Sequence, residues 1–250
     1  MSFRMSWQYV LAFFSLNMLC GELHEQAHIT TGYFICGCYG ARDFSVWSTC
    51  DNCSHSDWSY LATLAGPVFS FILMWLGAIW VSRSSNISKR ALGFSMVFAN
   101  LPFARLFTAL MGGGDEKVVL QHLPAMHLTS IYPKIAAVLI VGLLAIPPVV
   151  WVYKNLVQKL RGWIIAAFLV VPLIYGMLYH HMFLNYLLHE GIRAGITIMG
   201  TPDIIIIHTL VMFLMVLLFR KALTNAFAST TLGSESARAG GEIATGMALQ

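Results

Sequence analysis

Six stretches of this chain are apolar for about the length a helix needs to cross a bilayer, and no other feature restricts its fold as strongly. They lie around residues 6–29, 59–82, 91–111, 135–153, 163–188 and 203–219. About 20 residues rising 1.5 Å each cover the ~30 Å of hydrocarbon. A lone helix can cross because its backbone N–H and C=O groups are satisfied within the segment. The composition agrees: 58% of residues are hydrophobic, only 10% are charged, and mean hydropathy is +0.71. A soluble domain carries about 25% charged residues. The expected fold is all-α, a polytopic membrane helix bundle with about six transmembrane helices forming one domain over residues 1–223. A tail over 224–250, rich in small and polar residues, is expected to be disordered.

Basic residues give the expected orientation, because Lys and Arg beside short loops stay on the cytoplasmic side. Alternate connections place Arg4, Arg83, Lys89, Arg90, Lys154, Lys159, Arg161, Arg220, Lys221 and Arg238 on one side. The other side receives Arg42, Lys117, Lys134 and Arg193, while Arg105 falls inside a helix. Both termini are therefore expected in the cytoplasm. The net charge of +4 is accounted for by this flanking bias and calls for no nucleic-acid partner. The first stretch has only Arg4 ahead of it and no small-residue cleavage site, so it reads as a retained helix rather than a signal peptide.

That first stretch ends in His24-Glu25-Gln26-Ala27-His28, an H-E-x-x-H sequence. Residues four apart share a helix face, so both imidazoles can reach one zinc ion with Glu25 beside them as general base. A hydrolytic zinc site has three protein ligands and an open position. Asp115 is the expected third ligand, because the first and third stretches run in the same direction and end near the same face. His122 and His127 are loop alternatives. His180, His181 and His189, near the end of the fifth stretch, are candidates for further ligands or a proton relay, and His208 has no evident role. Asn100 and Arg105, flanking Pro102 within the third stretch, are candidates for stabilising an oxyanion. The bland readings are an interhelical hydrogen bond for Asn100 and an ion pair for Arg105.

With these residues in view, the chain resembles the site-2 protease family of intramembrane zinc metalloproteases. The resemblance lies in His24 to His28, in Ala65-Gly66-Pro67, and in Asn100-Leu101-Pro102 with Gly113-Gly114-Asp115, and covers roughly residues 10–120. It implies that His24, His28 and Asp115 bind Zn2+, that Glu25 activates water, and that Asn100 assists the oxyanion. It also implies that the loop before Gly66-Pro67 pairs with an unwound substrate strand. Two features depart from the family. Asn100 and Asp115 stand 15 residues apart, a longer interval than the family's compact motif. The charge count also puts the site toward the non-cytoplasmic face, opposite to the family's usual side.

Residues 32–58 form an extramembrane loop with Cys36, Cys38, Cys50 and Cys53. Outside the cytoplasm these four would form two disulfides, and inside it a structural zinc site. The expected function is a zinc metallopeptidase acting on membrane or membrane-proximal peptide substrates. The alternatives are a metal-binding or metal-transporting membrane protein with no general base, and a haem or di-iron redox protein using the later histidines.

Overall fold

The computed structural model describes residues 2–123 and 131–228; His127 and the tail beyond residue 228 lie outside them. The chain forms an all-α bundle. Strand β1 (Ser2–Phe3) leads into α1 (Trp7–Cys36), and a disulfide-bonded loop leads to a 3-10 turn (Ser56–Leu64). Then come α2 (Ala65–Arg83), α3 (Ile87–Ala99), α4 (Pro102–Met111) and α5 (Asp115–Gln121). Helix α6 (Ile131–Asn155) precedes α7 (Arg161–Tyr175), which runs through a π-helical segment (Gly176–Leu184) into α8 (Asn185–His189). A small hairpin, β2 (Ile196–Ile198) and β3 (Thr201–Pro202), leads to α9 (Asp203–Thr224) and strand β4 (Phe227–Ala228).

Five helical runs are long and apolar enough to cross a membrane: 57–83, 87–121, 131–155, 161–189 and 203–224. Helix α1 is outside that set although its 30 residues would reach about 45 Å. Its polar residues Asn17, Glu22, His24, Glu25, Gln26 and His28 lower its hydropathy. Connectivity supplies what composition withholds. Strand β1 pairs antiparallel with β4, Ser2 opposite Ala228 and Phe3 opposite Phe227, and Arg4 N–H donates to the Ala226 carbonyl at 2.8 Å. Pairing of residues 2–3 with residues 227–228 fits an even number of crossings, which α1 would complete as a sixth.

That same end of the bundle gathers the turns expected to share a side. The Phe3 backbone exchanges hydrogen bonds with the Gln158 amide between α6 and α7, and Arg90 Nη2 donates to Asn155 Oδ1 at 2.8 Å. Phe3, Phe94, Phe168 and Phe227 pack edge to face or stacked there. Chain order therefore extends past Thr224 through residue 228, a correction to the expected start of the tail. Burial of Phe227 in this aromatic cluster is the reason.

The third stretch is not one helix. Leu101 takes a left-handed conformation (φ 53°) and Pro102 starts α4, separating it from α3. The break frees backbone carbonyls at membrane depth, and Asn17 Nδ2 donates to the Ala99 carbonyl at 2.7 Å. Tyr175 OH in turn donates to Asn17 Oδ1 at 2.9 Å, linking α7 to α1.

Proline inside α6 is handled the same way. Pro148 has no N–H to offer Leu144, four residues earlier, and Trp75 Nε1 on α2 donates to that carbonyl at 2.9 Å. Trp75→Phe is expected to destabilise the protein by about 1–3 kcal/mol, seen as a lower unfolding temperature in detergent. In a Pro148→Ala background, where an intrahelical donor returns, the same substitution should cost much less. Equal losses in both backgrounds would contradict this role for Trp75.

Candidate metal centre

His24 and His28 lie one turn apart on α1 and point the same way, their Nε2 atoms 3.0 Å apart. Asp115, the first residue of α5, brings Oδ2 to 3.4 Å from His24 Nε2 and 3.7 Å from His28 Nε2. The glycines before it make this approach possible: Gly112 (φ 82°) ends α4 in a left-handed conformation, and Gly114 (φ 95°) turns the chain into α5. Donors 2.0–2.2 Å from a tetrahedral ion stand about 3.3–3.6 Å from one another. The triangle of 3.0, 3.4 and 3.7 Å brackets that spacing to within about 0.3 Å. The expected ligands His24, His28 and Asp115 thus form a group able to hold a metal ion.

Neighbouring elements orient both rings. His28 Nδ1 donates to the Ala62 carbonyl at 2.9 Å, which fixes the tautomer whose Nε2 lone pair faces the cluster. Trp47 stacks on the same ring, with centroids 5.2 Å apart and planes 15° from parallel. His24 Nδ1 has two neighbours, Ser70 Oγ at 3.1 Å and Arg105 Nη2 at 2.8 Å. Arginine only donates, so the contact with Arg105 requires a bare Nδ1 and leaves the proton on Nε2. The ligating tautomer is the reverse, with Nδ1–H donated to Ser70. A metal on Nε2 therefore releases the Arg105 donor from His24.

Gly66, at the start of α2, closes the other side. A Cβ there would collide with His28 Nε2 and approach His24 Nε2 to 2.7 Å. The absent side chain leaves the space a metal ion needs, and the donor set and this cradle both fit one.

Beside His24 lies a cavity of about 180 Å³ lined by Glu25, Ser70, Asn100, Arg105 and His180 among others. Among the described residues, Glu25 Oε2 is buried without a hydrogen-bond partner, as are Asn100 Oδ1, Arg105 Nε and Glu116 Oε1. Asn100 donates its amide nitrogen to the Met96 carbonyl at 2.8 Å. The donor expected for an oxyanion is thus engaged by the helix backbone, and Oδ1 is left without a partner among the described residues.

Some of the later histidines stand apart from the cluster. His122 Nδ1 donates to the Val118 carbonyl at 2.9 Å and its ring stacks on Tyr60. His181 Nδ1 is 2.9 Å from Ser45 Oγ, and His189 is exposed. His208 packs near Tyr179, His180 and Phe44 with Nε2 unpartnered. Residues 56–64 form a 3-10 turn supplying the Ala62 carbonyl, not an extended segment awaiting a strand.

The cysteines pair as Cys36–Cys53 and Cys38–Cys50, and Cys20 is free and buried. The loop they close carries Trp47 and also Arg42, whose Nη1 and Nη2 donate to the two carboxylate oxygens of Glu22 at 2.8 and 2.9 Å. Sequence reading missed Trp47, Ser70, the Glu22–Arg42 pair and Glu116. Only Glu22, an acid two residues from His24 on an apolar helix, carried a signal that asks for a partner. No family model, no curated protein and no solved structure matches the chain.

Gly66→Ala is expected to reduce bound zinc by at least about tenfold, the low end of losses when a site's surroundings are altered, with helix content unchanged. Metal analysis and circular dichroism of the purified protein check this. Full zinc occupancy in Gly66→Ala would mean that the ion sits elsewhere.

Proposed function

We propose that this protein is a membrane-embedded zinc peptidase, hydrolysing a peptide bond in or near the membrane. One observation carries the reading: Glu25 lines the same cavity as His24, one residue away in a three-donor cluster, and one of its carboxylate oxygens is buried with no hydrogen-bond partner among the described residues. A carboxylate at membrane depth needs water or a cation to offset its burial. A metal transit site has no use for a free base there. The resemblance to site-2 proteases in the same residues supports the reading.

A zinc ion held by His24, His28 and Asp115 would lower the pKa of a bound water from 15.7 to about 7 and polarise a carbonyl. Glu25 takes the proton as the water oxygen bonds to the carbonyl carbon. It then returns that proton to the amide nitrogen as the C–N bond breaks, leaving an acid and an amine. Arg105, released from His24 Nδ1 in the ligating tautomer, supplies positive charge where the carbonyl oxygen becomes negative. Asn100 Oδ1 accepts from water or from a substrate N–H.

The substrate must arrive unwound. In a helix the scissile carbonyl is hydrogen-bonded to the backbone and covered by the side chains of a cylinder about 10–12 Å wide. Helix-breaking residues near the scissile bond should therefore favour cleavage. We also place both termini in the cytoplasm and the metal cluster toward the opposite face. The basic turns gathered at the end holding the termini support this, as do disulfides in the loop that follows the site.

Glu25→Gln is expected to keep bound zinc and to lower hydrolysis of fluorescent casein by the detergent-solubilised protein about 10²–10⁴-fold. Full turnover in Glu25→Gln would refute the base assignment. Wild-type protein that binds zinc and cleaves nothing would instead be a metal-binding protein without enzymatic activity. For orientation, green fluorescent protein fused after Gln250 should fluoresce in intact cells, and a dark but well-expressed fusion would reverse the topology.

A further inference from the structure

The cavity at Glu25 adjoins a second one of about 380 Å³ between α1, α4 and the α7–π segment, and both are lined by Gly21, Glu25, Ser45, Leu101 and His180. Glu25 and His180 thus belong to the wall that the two cavities share. His180 makes only ring contacts, edge-on to Phe44 at 5.3 Å and near His208 at 6.1 Å. No described residue hydrogen-bonds to either of its ring nitrogens. It comes from π-helical turns, which break the 3.6-residue repeat, a feature frequent at functional sites.

The π segment is tied to α1 rather than left free. His181 Nδ1 meets Ser45 Oγ at 2.9 Å, and Asn185 Oδ1 accepts from Phe44 N at 3.0 Å. The loop bearing Phe44 and Ser45 is anchored through Arg42 to Glu22, three residues before Glu25. Successive hydrogen bonds thus fix the segment that carries His180, which lines the same cavity as the base. Such support is what a reacting group needs and what a packing residue does not.

We infer that His180 is a further catalytic residue, whose ring N–H donates to the oxygen that turns negative when water adds to the substrate carbonyl. The occupant is an extended peptide lying through both cavities, an identity that rests on the peptidase reading. The donor role does not, because any tetrahedral oxyanion next to the metal should meet the same N–H. Arg105 and His180 approach from α4 and from the π segment, so the oxygen is held from two elements.

The test uses full-length protein loaded with cobalt, whose visible absorption reports the metal's surroundings. His180→Phe keeps a ring against Phe44 and His208 but has no donor, and His180→Gln restores one. Inorganic phosphate is the oxyanion probe, followed by the change in the cobalt spectrum. Relative to wild type, His180→Phe should bind phosphate at least about tenfold more weakly, with its probe-free spectrum unchanged and His180→Gln recovering part of the loss. On casein, His180→Phe should lower kcat about 100-fold with KM little changed.

Equal phosphate binding by His180→Phe and wild type would overturn the inference, as would an unchanged kcat. A cobalt spectrum altered before phosphate is added would also overturn it, since His180 would then shape the metal site instead. Wild-type protein that cleaves nothing, yet binds phosphate in a His180-dependent way, would uphold the donor role and sink the peptidase reading.

Discussion

A helix that carries amide, carboxylate and imidazole groups through an apolar bundle survives only if other elements satisfy each of them, and α1 sets that requirement for the whole protein. The Asn17 amide is held by the Ala99 carbonyl and Tyr175. Glu22 takes both nitrogens of Arg42, His24 reaches Ser70 and Arg105, and His28 reaches the Ala62 carbonyl. Each partner comes from a different part of the chain, so α2, the break between α3 and α4, α7 and the disulfide loop are all placed by what α1 needs. An unmade hydrogen bond at such a depth costs more than one at a surface. Glu25 is the exception on this helix, its Oε2 left without a partner among the described residues beside the candidate metal ligands.

The disulfide loop belongs to the site as much as to the surface. Its two cystines bring the loop back over the end of α1, the Glu22–Arg42 pair fixes it there, and Trp47 then covers the His28 ring. Gly32 on α1 leaves room for the same indole, since a Cβ would come within 3.2 Å of it. From the loop the contacts continue through Phe44 and Ser45 to the π segment and His180. The metal cluster is thereby walled by one covalently closed segment, while its third ligand swings in on glycines from α5.

Much of the bundle was legible because its signals are local. Hydropathy finds helices of spanning length without knowledge of their neighbours, and His24 and His28 share a face through helix geometry alone. Asp115 could be inferred because chain direction fixes which helix ends meet. What stayed hidden depends on pairings between distant positions. Nothing in the local sequence says that Trp75 completes α6 at Leu144, or that Arg42 returns to Glu22. The break at Leu101 was foreshadowed by Pro102, but its effect on Asn100 was not: the Met96 carbonyl claims the amide nitrogen, and Oδ1 is left without a partner among the described residues. Phe227 looked like the start of a polar tail because its strand partner lies at the other end of the chain.

Zinc K-edge X-ray absorption of the purified, zinc-loaded protein tests the central claim most directly. The account predicts imidazole nitrogen at about 2.0–2.1 Å and carboxylate or water oxygen at about 2.0–2.2 Å, with no sulfur in the first shell. The signal should be lost when His24 and His28 are both replaced by alanine. A shell of sulfur near 2.3 Å, or a spectrum unaffected by removing the two histidines, would contradict it.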